Sequence, residues 1–207
     1  YTYASEDRDY FRGVDYHSTI KVDGFYPAVA NGPFRWKITP QHKLSKWYID
    51  SKYDYASGCM IGGTDWKHER EVFFIKPDIF FIVDTIKGTG RHDLEIRFPL
   101  YGKEWEIRDN KCILKSKVKS CSIEYVGKVD LDYQLIDAWV SLSYGHKMPS
   151  YTLVFNWIIE LPCKVGFLIN LSDRDYKIKM FDEREGTSFK ILLRENSSEI
   201  FEFNSTN

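Results

Sequence analysis

Three side chains near the amino terminus combine chemistries that a ligand site uses. His17 stands in the run His17-Ser18-Thr19-Ile20-Lys21-Val22, where alternation puts it on one face with Thr19 and Lys21, opposite Ile20 and Val22. An imidazole held on a polar face titrates near neutrality and can exchange a proton or hydrogen-bond a ligand. Arg12 brings a guanidinium whose planar fork fits a carboxylate, and Tyr3 a ring able to stack on a flat partner. The plainer reading of the trio is a surface histidine, a solvated arginine and a packing tyrosine near a sheet edge. No residue of the chain is assigned a catalytic role.

The other chemistry-bearing residues point to structure first. His68 and Arg70 share a strand face with Val72 and Phe74, so a buried or half-buried pair that holds a neighbouring loop is favoured over a catalytic pair. His92 opens the apolar face of its strand and is expected to cap it, while His42 and His146 fall in polar stretches read as loops. Trp36, Trp47 and Tyr48 lie in the aromatic stretch from Phe34 to Tyr53; exposed rings there could stack on a ligand, with core packing the default. Cys59, Cys112, Cys121 and Cys163 form no CxxC pair and are too sparse for a disulfide scaffold, so buried free thiols are expected.

The elements that must position these groups are strands. In Arg91 to Leu100, residues His92, Leu94, Ile96, Phe98 and Leu100 alternate with Arg91, Asp93, Glu95 and Arg97, which marks a strand with one buried face. The same pattern recurs at Tyr151 to Ile158, Cys163 to Leu171, Tyr176 to Phe181 and Phe189 to Leu193. Val72 to Ile75 and Ile79 to Ile86 are apolar on both faces around Lys76-Pro77-Asp78, a hairpin for the centre of a covered sheet. Lys87-Gly88-Thr89-Gly90 then turns the chain back, predicting three consecutive antiparallel strands. No amphipathic helix, repeat or linker interrupts this pattern, so the expected architecture is all-β, a two-layer antiparallel sandwich. One domain over residues 1–203 and a tail over 204–207 are expected.

Composition sets outer bounds. The chain has 207 residues, 29 basic against 30 acidic side chains and a net charge of -1. No global field recruits nucleic acid or an anionic membrane, and a polyanionic ligand would need a local cluster of cations. No apolar run reaches the length of a membrane span. The sequence opens at Tyr1 without methionine and is expected to be a piece of a longer protein.

The ordered motifs resemble the heparinase II/III-like polysaccharide lyase family. They are Tyr1-Thr2-Tyr3, Tyr10-Phe11-Arg12, His17-Ser18-Thr19-Ile20-Lys21-Val22-Asp23-Gly24, His68-Glu69-Arg70, Pro77-Asp78, Ile82-Val83-Asp84, Gly88-Thr89-Gly90-Arg91-His92 and Phe98-Pro99-Leu100. Trp139, Ser141, Tyr144-Gly145 and Leu161-Pro162 fit weaker landmarks. The chain departs from the family pattern at Ser18, at Gly13-Val14 and at Pro99. No single motif is diagnostic; their order is.

The resemblance implies a carboxyl-terminal β-sandwich that forms one wall of a cleft against the chain's own amino-terminal helical domain. The expected substrate is an acidic polysaccharide, cleaved by β-elimination: a base takes the C5 proton of a uronate, the carboxylate is stabilised and the C4 oxygen leaves. It further implies His17 as one ligand of a metal, zinc, in the longer protein; Arg12 and Tyr3, close to His17 in sequence, are read as contacts to a sugar carboxylate and a ring face of the substrate. The proton-moving residues would lie outside this chain, so the fragment alone is expected to be inactive. A bacterial, periplasmic or secreted location follows from the same resemblance. The rival reading is a non-catalytic carbohydrate-binding or scaffold module.

Overall fold

Alternation of apolar and polar residues turns nearly all of the chain into antiparallel strands. The computed structural model describes residues 5–25, 28–32, 34–61, 65–116, 119–173, 176–183, 186–193 and 199–204. A helix, α1 (Ser5–Arg12), and one 3₁₀ turn at Val14–Tyr16 come first. The strands then run β1 (Ile20–Val22), β2 (Val29–Asn31), β3 (Arg35–Ile38), β4 (Gln41–Ile49), β5 (Tyr53–Ile61) and β6 (Trp66–Ile75). They continue through β7 (Ile79–Gly88), β8 (Arg91–Pro99), β9 (Trp105–Arg108), β10 (Lys111–Leu114), β11 (Ser122–Val126) and β12 (Asp132–Ser143). The last are β13 (His146–Glu160), β14 (Cys163–Asn170), β15 (Tyr176–Glu183), β16 (Gly186–Leu193) and β17 (Glu199–Asn204).

Helix α1 corrects the expectation of a helix-free chain. Its eight residues make little more than two turns, too few for a 3.6-residue period to show. Glu6 and Asp7 in the first turn and Arg12 in the last complement the dipole. Tertiary contacts then hold it on the β12–β13 hairpin: the backbone N–H of Trp139 donates to the Tyr10 hydroxyl at 2.9 Å, and Lys147 pairs with Asp7 at 2.5 Å.

Two antiparallel sheets stack as a sandwich. One has the order β1-β8-β13-β12, the other β4-β5-β6-β7-β14-β11-β10-β9; β15-β16-β17 and β2-β3 make two smaller sheets. Between the two main layers lie Ile20, Leu94, Ile96, Leu153, Phe155 and Phe167, each almost fully buried, and each contributing about 1.5–3 kcal/mol through burial. The other face of the eight-stranded sheet carries a second cluster, Phe73, Ile75, Ile79, Phe81, Val83 and Leu168, with Tyr176 packed against it. Strands β6 and β7 therefore sit in mid-sheet with both faces apolar, as their sequence requires.

The turn after β7 does not produce a third strand in the same sheet. β8 pairs with β1 and β13, so residues 89–90 carry the chain across to the other layer. A side chain on Gly88 would lie 2.6 Å from the carbonyl oxygen of Asp65, and Gly90 has φ of +91°, so both glycines are needed where the chain makes this corner. His42 and His146 prove to lie on strands, β4 and β13, and are exposed there. β17 ends at Asn204, the residue at which a tail was expected.

The eight-stranded sheet ends in β4, which among the described residues has a strand partner on one side only, and all nine β4 residues are exposed. Trp36, Trp47 and Tyr48 are accordingly exposed, against the core-packing default. No layer of the described chain reaches over that edge.

Candidate functional site

The residues around His17 are fixed from two sides. On one side, Asp15 in the 3₁₀ turn joins a network on the outer face of the four-stranded sheet. Lys21 bonds Asp15 and Glu95 at 2.6 Å each, and Arg97 bonds Glu95 at 2.8 Å and approaches Asp15 at 3.5 Å. Lys21 and Glu95 are direct cross-strand partners in β1 and β8, a placement that favours opposite charges. Burial pushes the Glu95 carboxyl up, but hydrogen bonds from Arg97 and Lys21 outweigh it and hold the group below its ordinary value. Tyr16 lies with its ring centroid 3.5 Å from that of Tyr10, and burial, then the Tyr10 hydrogen bond, push its hydroxyl well above the usual range.

On the other side, the segment is tied to the interior. Asp84 is fully buried on the face of β7 that looks toward the four-stranded sheet. It accepts from His68 Nε2 at 2.6 Å, Arg70 Nε at 2.6 Å and Arg70 Nη2 at 2.8 Å. Arg70 Nη1 then donates to the backbone carbonyl of Ser18. Burial raises the Asp84 carboxyl, yet the Arg70 guanidinium and the His68 ring outweigh it and hold the group far below the carboxylate range. His68 and Arg70 thus form the loop-holding pair expected from their strand face, and the loop they hold is the one that carries His17.

His17 itself is not on a strand. It follows the 3₁₀ turn, three residues before β1, and is exposed. It lines a cavity of about 1140 Å³ together with Arg12, Gly24, Ala30, Trp36 and His42. Helix α1 makes one wall of that cavity and the β2–β3 hairpin another. The two walls are joined by a pair of cation–π contacts: Arg8 lies 4.5 Å from the Phe34 ring centroid and Arg12 4.5 Å from that of Trp36. Residues four apart on a helix share a face, and Phe34, in the turn just before β3, lies two residues from Trp36, so the two contacts form one seam.

Arg12 is half-buried and tied down. Its Nη1 donates to the Gly32 carbonyl at 2.7 Å and its Nη2 to the Arg35 carbonyl at 3.0 Å, while Trp36 covers its face. The structure brings Arg12 and His17 to one cavity; Tyr3, the third residue singled out, lies outside the described residues. His42 lines the same cavity and gave no signal in the sequence, where it was placed in a loop. Asp84 did leave one, as a lone carboxylate inside the apolar run Ile79 to Ile86.

His92 acts as the expected cap. Its Nδ1 bonds Asp23 at 2.8 Å and its Nε2 bonds the Thr89 carbonyl at 3.0 Å, so both nitrogens face acceptors and the ring pKa is raised, first by Asp23. All four cysteines are free. Cys112 and Cys163 are buried, which pushes their thiols up to about 12 and about 11, and neither is a thiolate at neutral pH. Cys59 and Cys121 are only half-buried. Among the described residues no three His, Cys, Asp or Glu side chains come together as a metal site. No helix among them is long and apolar enough to cross a membrane.

Several solved structures share this fold. The heparinase III BT4657 gene product matches with a TM-score of 0.75 and 15% identity over 96% of this chain and 32% of its own. Heparan sulfate lyase HepC from Pedobacter heparinus matches with a TM-score of 0.76 and 14% identity over 98% of this chain and 32% of its own. A further heparinase III gives a TM-score of 0.72 at 14% identity, over 97% of this chain and 31% of its own. The chain thus spans about a third of the length of the structures it matches. A comparison with curated proteins finds no sequence match. The family described as heparinase II/III-like, C-terminal, matches residues 1–156, which takes in β1 through most of β13. This chain belongs to the heparinase II/III-like C-terminal domain family.

Proposed function

We propose that the chain is the carboxyl-terminal sandwich of a polysaccharide lyase that cleaves uronic-acid-containing glycans by β-elimination, forming one wall of the active-site cleft. The observation that carries this reading is the cavity in which Arg12 and His17 meet, between a helix and a hairpin locked together by paired cation–π contacts. His17 is exposed and held in place through both neighbouring segments, as a group that must meet a ligand in one geometry needs to be. Arg12, already committed to two carbonyls, offers its charge to a carboxylate from a fixed position.

The groups that take the C5 proton and protonate the leaving oxygen belong, in this reading, to the rest of a longer protein, with a helical domain closing the cleft. Zinc is proposed there as a guest to which His17 supplies one nitrogen; the remaining donors would come from outside this chain. An export route to the periplasm or exterior of a bacterial cell accompanies the reading, since polymeric acidic glycans are met there.

The test is the ultraviolet absorbance of unsaturated uronate, measured with the full-length protein on a panel of uronate polymers. Product that is lost or reduced at least about tenfold in His17→Ala supports the reading; a tenfold loss corresponds to about 1.4 kcal/mol of transition-state stabilisation. No product on any polymer sinks the lyase and leaves a non-catalytic glycan-binding module. Unchanged zinc content in His17→Ala removes that residue from the metal.

A further inference from the structure

From Gly24 to Ile49 the sequence contains no Asp or Glu, although acidic side chains outnumber basic ones over the whole chain. The same segment carries Arg35, Lys37, Lys43 and Lys46. All four are exposed, and among the described residues none of them forms an ion pair. Several cations elsewhere on the surface are paired: Lys103 with Asp137, Lys111 with Glu124, Lys115 with Glu106 and Lys147 with Asp7. The positive charge of β3 and β4 is therefore concentrated, and forms no ion pair among the described residues, in a protein with no positive charge to spare.

An irregularity in β4 sorts its side chains. Leu44 pairs with Gly58 and Lys46 with Ser57, leaving Ser45 as the extra residue. Without it, Lys43 and Lys46 would face opposite ways; with it, both lie on the same face as Tyr48, while His42, Leu44 and Trp47 share the other. The free edge of β4 is thus flanked by cations on one side and by an apolar, aromatic strip on the other. Leu44 is 66% exposed and Trp47 65%. Between the flanks run the backbone groups that β5 does not use.

We propose that this edge is a docking track for an acidic polysaccharide, continuous with the His17 cavity through His42, which belongs to both. The proposal rests on the glycan reading above and extends it beyond that cavity. A uronate polymer presents carboxylates on its rim, C–H faces on its rings and hydroxyls between. Those three features meet, in turn, the lysines, the Trp47 ring, and the open N–H and C=O groups of the edge. At about 3.3 Å per residue, β4 offers roughly 30 Å of contact. A second copy of this chain fits poorly, because edge-to-edge pairing would bring two lysine-bearing strands together.

The experiment uses this chain with alginate and heparin as probes, dextran as a neutral control, and the salt dependence of affinity as the readout. The triple variant Lys37→Gln, Lys43→Gln, Lys46→Gln is expected to weaken polyanion binding by about tenfold and to lower the log–log salt slope by about 2, at about 0.7 per neutralised charge for a single-stranded polyanion. Trp47→Ala should weaken binding severalfold without altering that slope. The control triple Lys103→Gln, Arg108→Gln, Lys115→Gln, which removes exposed but ion-paired cations, should change neither. Thermal melting of each variant checks that the fold is retained. The proposal is overturned if neither polymer binds, if the β3–β4 variant binds like the unaltered chain, or if single-stranded DNA of matched charge displaces alginate as well as alginate does. Loss of lyase product in the full-length protein with the salt slope of this chain intact sinks the lyase reading and leaves the track standing. Turnover with an unchanged KM in the β3–β4 variant does the reverse.

Discussion

Two charged regions of this molecule obey opposite rules. Around Asp84, every formal charge is matched: one fully buried carboxylate accepts three hydrogen bonds from His68 and Arg70, and the spare guanidinium nitrogen ends on the Ser18 carbonyl. Along β3 and β4, four cations stand exposed with no acid in the surrounding sequence. A buried charge costs several kcal/mol unless paired, so the first arrangement has to be complete for the chain to fold. An exposed charge costs little whether paired or not, so the second is free to be arranged for something other than folding. The contrast separates residues that shape the site from residues available to a ligand.

The sharpest way to break that contrast is to remove Asp84. Asp84→Ala leaves the Arg70 charge and the His68 ring without their acceptor and is expected to cost about 3–5 kcal/mol in urea or thermal unfolding. Replacing the group together, as His68→Leu, Arg70→Met and Asp84→Leu, should be far milder, since well-packed apolar residues remove the desolvation penalty along with the pair. The triple variant would still loosen the His17 loop, because the donor to Ser18 is gone. A loss under about 1 kcal/mol in Asp84→Ala would show that the buried cluster does not hold the sandwich together.

Acid provides a second, smaller test of the same cluster. The Asp84 carboxyl is depressed in the folded state, so the unfolded chain binds more protons between the folded value and its ordinary one of about 3.9. Its contribution is therefore complete above about pH 5, begins to fall as pH approaches the unfolded value and is lost as pH falls through the folded one. Unfolding free energy should decline on acidification from about pH 5 toward pH 2, and the decline should be shallower in Asp84→Asn. Parallel curves for the two proteins would assign the acid sensitivity to other carboxylates, Glu95 among them.

His92 gives a weaker effect of opposite sign. Its ring is raised by Asp23 and Thr89, so its contribution is fully present below about pH 6.5 and fades as pH rises through the folded value. Asp23 is more than half exposed, which keeps the magnitude below about 1 kcal/mol. His92→Gln should melt slightly lower at pH 5.5 and match the unaltered chain at pH 9; a gap that persists at pH 9 would mean that packing, not charge, makes the cap.

The sandwich was legible because its strands state their own burial: Leu94, Ile96 and Phe98 all point into the core as their alternation requires. The loop-holding role of His68 and Arg70 was legible for the same reason. What alternation cannot tell is which sheet a strand joins, so β8 was assigned beside β7 when a corner carries it across. Nor does it show coverage. Trp36, Trp47 and Tyr48 carry the residue types of a core, yet all three are exposed, Trp36 in the small β2–β3 sheet and Trp47 and Tyr48 on the two faces of an edge strand. The site was readable only in part, since Arg12 and His17 meet through α1, a helix too short to leave a period, and His42 joins them through the end of β4.

The smallest expected effect completes the contrast. Trp47→Ala removes the largest kind of side chain from a strand, a change that in a core costs about 3–5 kcal/mol. Here the ring is 65% exposed and makes no ring contact in the described chain, so unfolding free energy should move by no more than about 0.5 kcal/mol. Phe167→Ala, in the same eight-stranded sheet but fully buried against Phe98 and Phe155, should show the full core penalty. If Trp47→Ala destabilises the chain nearly as much as Phe167→Ala, the ring belongs to the fold and the β4 edge is not free for a ligand. If the two separate as expected, a large aromatic side chain is being kept at the surface for a purpose that stability does not explain.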